Sequence, residues 1–74
     1  MAFKKYVLDD KYKSFEIVKN DLGWHIFFKG GDLKKQDFEL RQIEFELTQK
    51  TDRSSDEEQI LKVIQEQLKA RRKQ

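Results

Sequence analysis

The 74-residue chain has no cysteine, no proline, three glycines and a single histidine. Without cysteine there is no disulfide to staple a small domain. One histidine and no thiol leave no zinc site of the usual nitrogen–sulfur kind. An all-carboxylate site for a hard cation is the only metal chemistry left open. Without proline, turns must be punctuated by Gly, Asn and Asp. No apolar run approaches the roughly 18 residues of a membrane span. The opening MAFKKYVLDDK has no apolar stretch of signal-peptide length. Cysteine absence also fits a reducing compartment. The expectation is a cytoplasmic protein, with no membrane partner and no bound cofactor.

What is present is charge and aromatic surface. Charged residues make up 41% and hydrophobic residues 36%, yet nine aromatics (six Phe, two Tyr, one Trp) argue for a packed core over disorder. A chain this short forms one domain, 1–74, and buries only about 60% of its unfolded surface. A homodimer would add stability to so small a core. Charge is spread unevenly: residues 1–35 carry net +3, residues 36–58 net −5, and residues 59–74 net +4. Such blocks either form a dipolar surface or pair with one another on folding.

Turn signals at Asp9-Asp10-Lys11, Asn20-Asp21-Leu22-Gly23 and Gly30-Gly31-Asp32 separate β-branched and aromatic runs that read as strands at about 3–8, 12–19 and 24–29. A hairpin closed by NDLG sets Lys19 against Trp24, Ile17 against Ile26 and Phe15 against Phe28, so that one face collects apolar side chains. A one-residue slip would scatter them. A tight loop at Asp9–Lys11 would set Leu8 against Tyr12, Tyr6 against Ser14 and Phe3 against Ile17. That scheme leaves Lys5 on the apolar side.

Residues 37–49 carry a near-repeat, DFELRQ and EFELTQ, seven residues apart. Ile43 to Leu47 alternates strictly, which predicts a fourth strand at about 37–48, with a bulge at Arg41-Gln42. The rival is a helix over roughly 33–50, with Leu33, Leu40, Ile43 and Leu47 on one stripe. That helix would leave Phe38 and Phe45 projecting into water, and the strand is preferred for that reason. The last segment predicts a helix at about 56–72. Ser55 and Glu58 read as a capping box, Ile60, Leu61, Val63, Ile64 and Leu68 form one stripe, and acids then bases suit the two ends of the helix dipole.

The expected fold is therefore α+β: a three- to four-stranded antiparallel β-meander with one C-terminal helix packed on one face. One helix cannot cover both sides of the sheet. The other side would collect Tyr6, Tyr12, His25 and Phe27, with Lys4 and Lys29 among them. A patch of this kind marks a contact surface, and aromatic residues are enriched where proteins bind each other. The leading expectation is a non-enzymatic interaction protein that docks on a protein partner or on its own copy. The alternative is a nucleic-acid-binding accessory protein, stacking bases on the aromatics and holding phosphates with Lys4, Lys29, Arg71, Arg72 and Lys73. His25 lacks a partner group for general-base work, and the serines look like capping residues, so no catalytic residue and no small-molecule substrate are expected.

Overall fold

A computed structural model describes residues 4–72. The core position expected for Phe3 and the phosphate role considered for Lys73 lie outside the described residues. Three strands, β1 (Lys4–Tyr6), β2 (Phe15–Asn20) and β3 (Gly23–Phe28), are followed by two helices, α1 (Leu33–Gln49) and α2 (Ser55–Arg72). The strands form an antiparallel meander in the order β1-β2-β3. The fold is thus α+β, with a second helix where a fourth strand was expected.

The β2–β3 hairpin has the register the alternation predicts: Lys19 opposes Trp24, Ile17 opposes Ile26, and Phe15 opposes Phe28. Asn20 pairs with Gly23 across a two-residue turn, and Gly23 takes φ 115°, a conformation that favours glycine. The Asn20 side chain steadies this turn by accepting the Leu22 amide at 2.8 Å.

The β1 register differs from the expected one. Tyr6 opposes Ile17, not Ser14, an offset of an odd number of residues. An odd offset exchanges the faces. Tyr6 therefore turns toward the helices, and Lys5 turns away from them, which removes the awkward lysine of the expected scheme. The connection between β1 and β2 is longer than a tight loop. It folds inward so that Tyr12 is buried among core side chains.

Residues 37–48 are helical, not extended. Asp32 caps α1 by accepting the Lys35 amide at 2.8 Å. Gly31, at φ 85°, makes the sharp entry before it. Leu40, Ile43 and Leu47 are buried, and Phe38 and Phe45 stand on the opposite side of the helix, 68% and 61% exposed. The two rings do project into water, yet the segment is helical. A stripe of three large aliphatics holds the inner side, and the two phenylalanines are left outside.

Arg53 closes α1. Its Nη1 donates to the carbonyls of Leu47, Thr48 and Lys50 at 2.9, 3.3 and 3.0 Å, satisfying oxygens that the helix end leaves open. The same guanidinium reaches Glu58 of α2. The cap of α2 sits one residue earlier than expected. Ser54, not Ser55, accepts the Glu57 amide at 3.2 Å, and Glu57, not Glu58, accepts the Ser54 amide at 3.0 Å.

Both helices pack on one side of the sheet. Leu40, Ile43 and Leu47 meet Ile60, Ile64 and Leu68 above Phe15, Ile17 and Trp24. Truncating a fully buried residue such as Leu40 to alanine costs about 2–5 kcal/mol. Two buried carboxylates tie the periphery to this core. Glu39 Oε1 accepts the amides of Lys13 and Ser14 and the Ser14 hydroxyl, at 3.0, 3.1 and 2.8 Å, and so fastens the β1–β2 connection to α1. Glu57 accepts from Tyr6 and Lys50, both at 2.7 Å, joining β1 to the end of α1 and the start of α2.

The charge blocks of the sequence pair with one another. Lys4 meets Asp56, Lys11 meets Glu46, and Arg71 meets Asp37. Arg71 also lies over the Phe28 ring, 4.8 Å from its centroid, and bonds Gln36.

The Lys50 ammonium, then the Ser54 amide, then the Tyr6 hydroxyl hold the Glu57 carboxyl down at about 2 against an ordinary 4.5. Such a group contributes stability that is complete above pH 4.5 and lost as pH falls toward 2. Denaturant melts between pH 5 and 2 should therefore show wild type losing stability more steeply than Glu57→Gln, which cannot titrate there. At neutral pH, Glu39→Ala should lower stability by about 1–3 kcal/mol, because it leaves the buried Ser14 amide and hydroxyl unpaired.

Candidate functional site

The sheet has one covered and one open face, and strand parity decides which side chains go where. Tyr6, Phe15, Ile17, Trp24, Ile26 and Phe28 share the helix side. Lys5, Glu16, Val18, His25 and Phe27 share the other, where cross-strand pairing sets Val18 against His25 and Glu16 against Phe27. Phe27 is 59% exposed. These five residues and Ile26 line a shallow hollow. The Lys5 ammonium and the Glu16 carboxylate pair across the hollow, and Lys29 approaches the same carboxylate at 3.9 Å. The lysine contacts lower the Glu16 carboxyl below the usual carboxylate range. The centre of this face is apolar and its charge is largely self-neutralised.

The six residues expected to share one aromatic face are divided. His25 and Phe27 lie on the open face as expected. Tyr12 does not: it is buried beside Phe15, with ring centroids 6.0 Å apart. Burial raises its phenol pKa. Tyr6 is also on the covered side, where burial and the hydrogen bond to Glu57 push its phenol up to about 12. Both tyrosines border a groove beside the β1–β2 connection, together with Lys29. Lys4 is on the helix side, bonded to Asp56 at 2.8 Å. The cause is the odd register offset of β1, which moves its whole side-chain set to the other face.

The cations proposed for phosphate are mostly engaged. Lys4 and Arg71 hold Asp56 and Asp37, and Lys29 leans toward Glu16. Arg71 is half-buried and acts as a clamp between the end of α2 and the start of α1. Arg72 is exposed. His25 offers Nε2 to the Asn20 side chain at 3.1 Å, so its nearest polar contact belongs to the turn. No group of three or more potential metal-binding side chains is found among the described residues. No helix there is long and apolar enough to cross a membrane.

A second surface emerges on α1. Phe38 and Phe45 lie two turns apart on its outer side, with Lys34 and Arg41 on the same strip. Lys34, Asp37, Phe38 and Arg41 border a small depression. Lys34 and Arg41 make no salt bridge to a described residue. The signal for this surface was the seven-residue repeat itself, which places one phenylalanine per repeat on the side away from the leucines.

Because these rings are already in water, Phe38→Ser and Phe45→Ser should each change stability by no more than about 0.5 kcal/mol. Leu40→Ala, one turn-face away, should cost about 2–5 kcal/mol. Chemical denaturation of the three variants checks the contrast. Compared with protein-family models, curated proteins and solved structures, the chain has no match.

Proposed function

We propose that this protein is a non-enzymatic interaction module that binds a protein partner through exposed aromatic surface. One observation carries the reading: Phe27, Phe38 and Phe45, three of the chain's six phenylalanines, are more than half exposed. Leaving a ring of this size in water forgoes roughly 1.5–3 kcal/mol of burial. Scattered single exposures need no explanation, but paired rings on a rigid helix and a ring in an apolar sheet hollow are contact surfaces. Both scaffolds are regular elements, so the rings are presented with little ordering to be done on binding.

The competing reading, a nucleic-acid-binding protein, has less support. Stacking platforms need several flat rings on one basic face. Among the described residues the open face presents only the rings of Phe27 and His25, and its nearest lysines are turned to Glu16. The outer side of α1 offers Lys34 and Arg41, which is little positive charge for a phosphate track.

Affinity capture from extracts of the source cells, run side by side with wild type, Phe27→Ser and the Phe38→Ser/Phe45→Ser double variant, tests the proposal. A protein retained by wild type and lost with one of these variants supports it and identifies the surface. A salt titration with a generic single-stranded oligonucleotide is the counter-test. Micromolar binding that falls steeply with salt, with no protein retained, would overturn the reading in favour of nucleic acid.

A further inference from the structure

The two edges of the sheet are built differently. β1, at one edge, has three residues, two of them lysines. Short length and lysines are the ordinary guards against unwanted strand pairing. β3, at the other edge, runs for six residues, Gly-Trp-His-Ile-Phe-Phe, with no charge, no proline and no bulge in its pairing with β2. Its outer side is therefore unguarded.

The backbone groups on that side can be assigned. Lys29 donates its amide to Ser14 at 2.8 Å. Hydrogen-bonded pairs recur at every second residue of an antiparallel ladder. Phe27, His25 and Gly23 thus bond inward to β2, and Trp24, Ile26 and Phe28 direct their amides and carbonyls outward. No described strand lies beyond them.

We infer that β3 pairs with β3 of a second copy, antiparallel and centred on Ile26, to form a continuous six-stranded sheet. This inference rests on the reading of the open sheet face as protein-contact surface and names the occupant. Centring on Ile26 sets Trp24 opposite Phe28 of the second copy, Ile26 opposite its own equivalent, and Phe28 opposite Trp24. All three outward residues of each strand are then used. Centring one residue to either side leaves one of them outside the pairing. The faces also agree: His25 opposes Phe27 of the second copy on the open side, twice by symmetry, so the two hollows merge into one apolar band. At the ends, Lys29 comes beside the Asp21 turn of the other copy. Asp21 makes no salt bridge to a described residue, and Lys29 has only the 3.9 Å contact with Glu16, so the charges there are complementary. A self-matching edge of this kind favours a second copy over an unrelated peptide.

Sedimentation velocity on the full chain, from micromolar to millimolar, tests the pairing. Wild type is expected to dimerise, and Phe27→Lys to raise the dissociation constant more than about tenfold by placing a charge in the merged apolar band, with its circular dichroism unchanged. Because the chain lacks cysteine, register can be read separately. His25→Cys mixed with Phe27→Cys should form an oxidised heterodimer about tenfold faster than either variant alone, since directly opposed positions meet disulfide geometry. A monomer at millimolar concentration, a dimer indifferent to Phe27→Lys, or cross-linking without this preference overturns the inference. If the chain is monomeric yet retains a partner through Phe27 or Phe38, edge pairing fails while the docking function stands.

Discussion

The fold depends on one packing event: the stripe Leu40, Ile43, Leu47 of α1 and the stripe Ile60, Ile64, Leu68 of α2 close together on the same face of the sheet. With β1 only three residues long, the sheet is little more than the β2–β3 hairpin, which is marginal on its own. Two helices over one side supply the missing apolar surface, and Phe15 and Ile17 become fully enclosed beneath them. Choosing one side leaves the other bare. The exposure of His25 and Phe27, beside a half-buried Val18, follows from where the helices go, and no local feature of β2 or β3 produces it.

Polar groups then hold the layers in position. Glu57 and Glu39 are buried, and neither is left without donors. Each carboxylate joins parts of the chain far apart in sequence: Glu57 joins β1, the α1–α2 connection and α2, and Glu39 joins the β1–β2 connection and α1. Buried carboxylates without such partners would be strongly unfavourable. Arg53 and Arg71 act at the two ends of the helix pair, one closing the loop between the helices, the other clamping the end of α2 to the start of α1. The sheet-to-helix and helix-to-helix ion pairs use charge that would otherwise be available to a polyanion.

The seven-residue repeat in α1 has two effects at once. Leu40 and Leu47 recur on the inner side, and Phe38 and Phe45 recur on the outer side. A period of seven is close to two helical turns, so each repeat returns to the same direction. The inner row builds the core and the outer row remains available. Together with the uncharged edge of β3, this gives a small domain whose exposed phenylalanines sit on regular elements, while Val7 and Leu22 stand exposed on its loops.

Much of this was legible from residues alone. The β2–β3 register follows from the matching apolar positions Phe15, Ile17, Ile26 and Phe28 around a turn flanked by Asn20 and Gly23, and α2 follows from a capping signal, a stripe and charged ends, with its cap displaced by one residue because Ser54 and Ser55 are both competent. His25 and Phe27 on the open face follow from the same hairpin. Three features were decided only in three dimensions. Residues 37–48 satisfy both a two-residue and a helical period, and the need to roof Phe15 and Ile17 selected the helix despite two exposed phenylalanines. The face taken by Tyr6 turns on a register offset that three residues of β1 cannot encode, and the bond to Glu57, 51 positions away, holds it. Tyr12 is buried because its connection is drawn inward by Glu39. Local pattern determines what an element is when one period dominates. Long-range burial and long-range hydrogen bonds decide where two periods compete or a strand is too short to specify its own pairing.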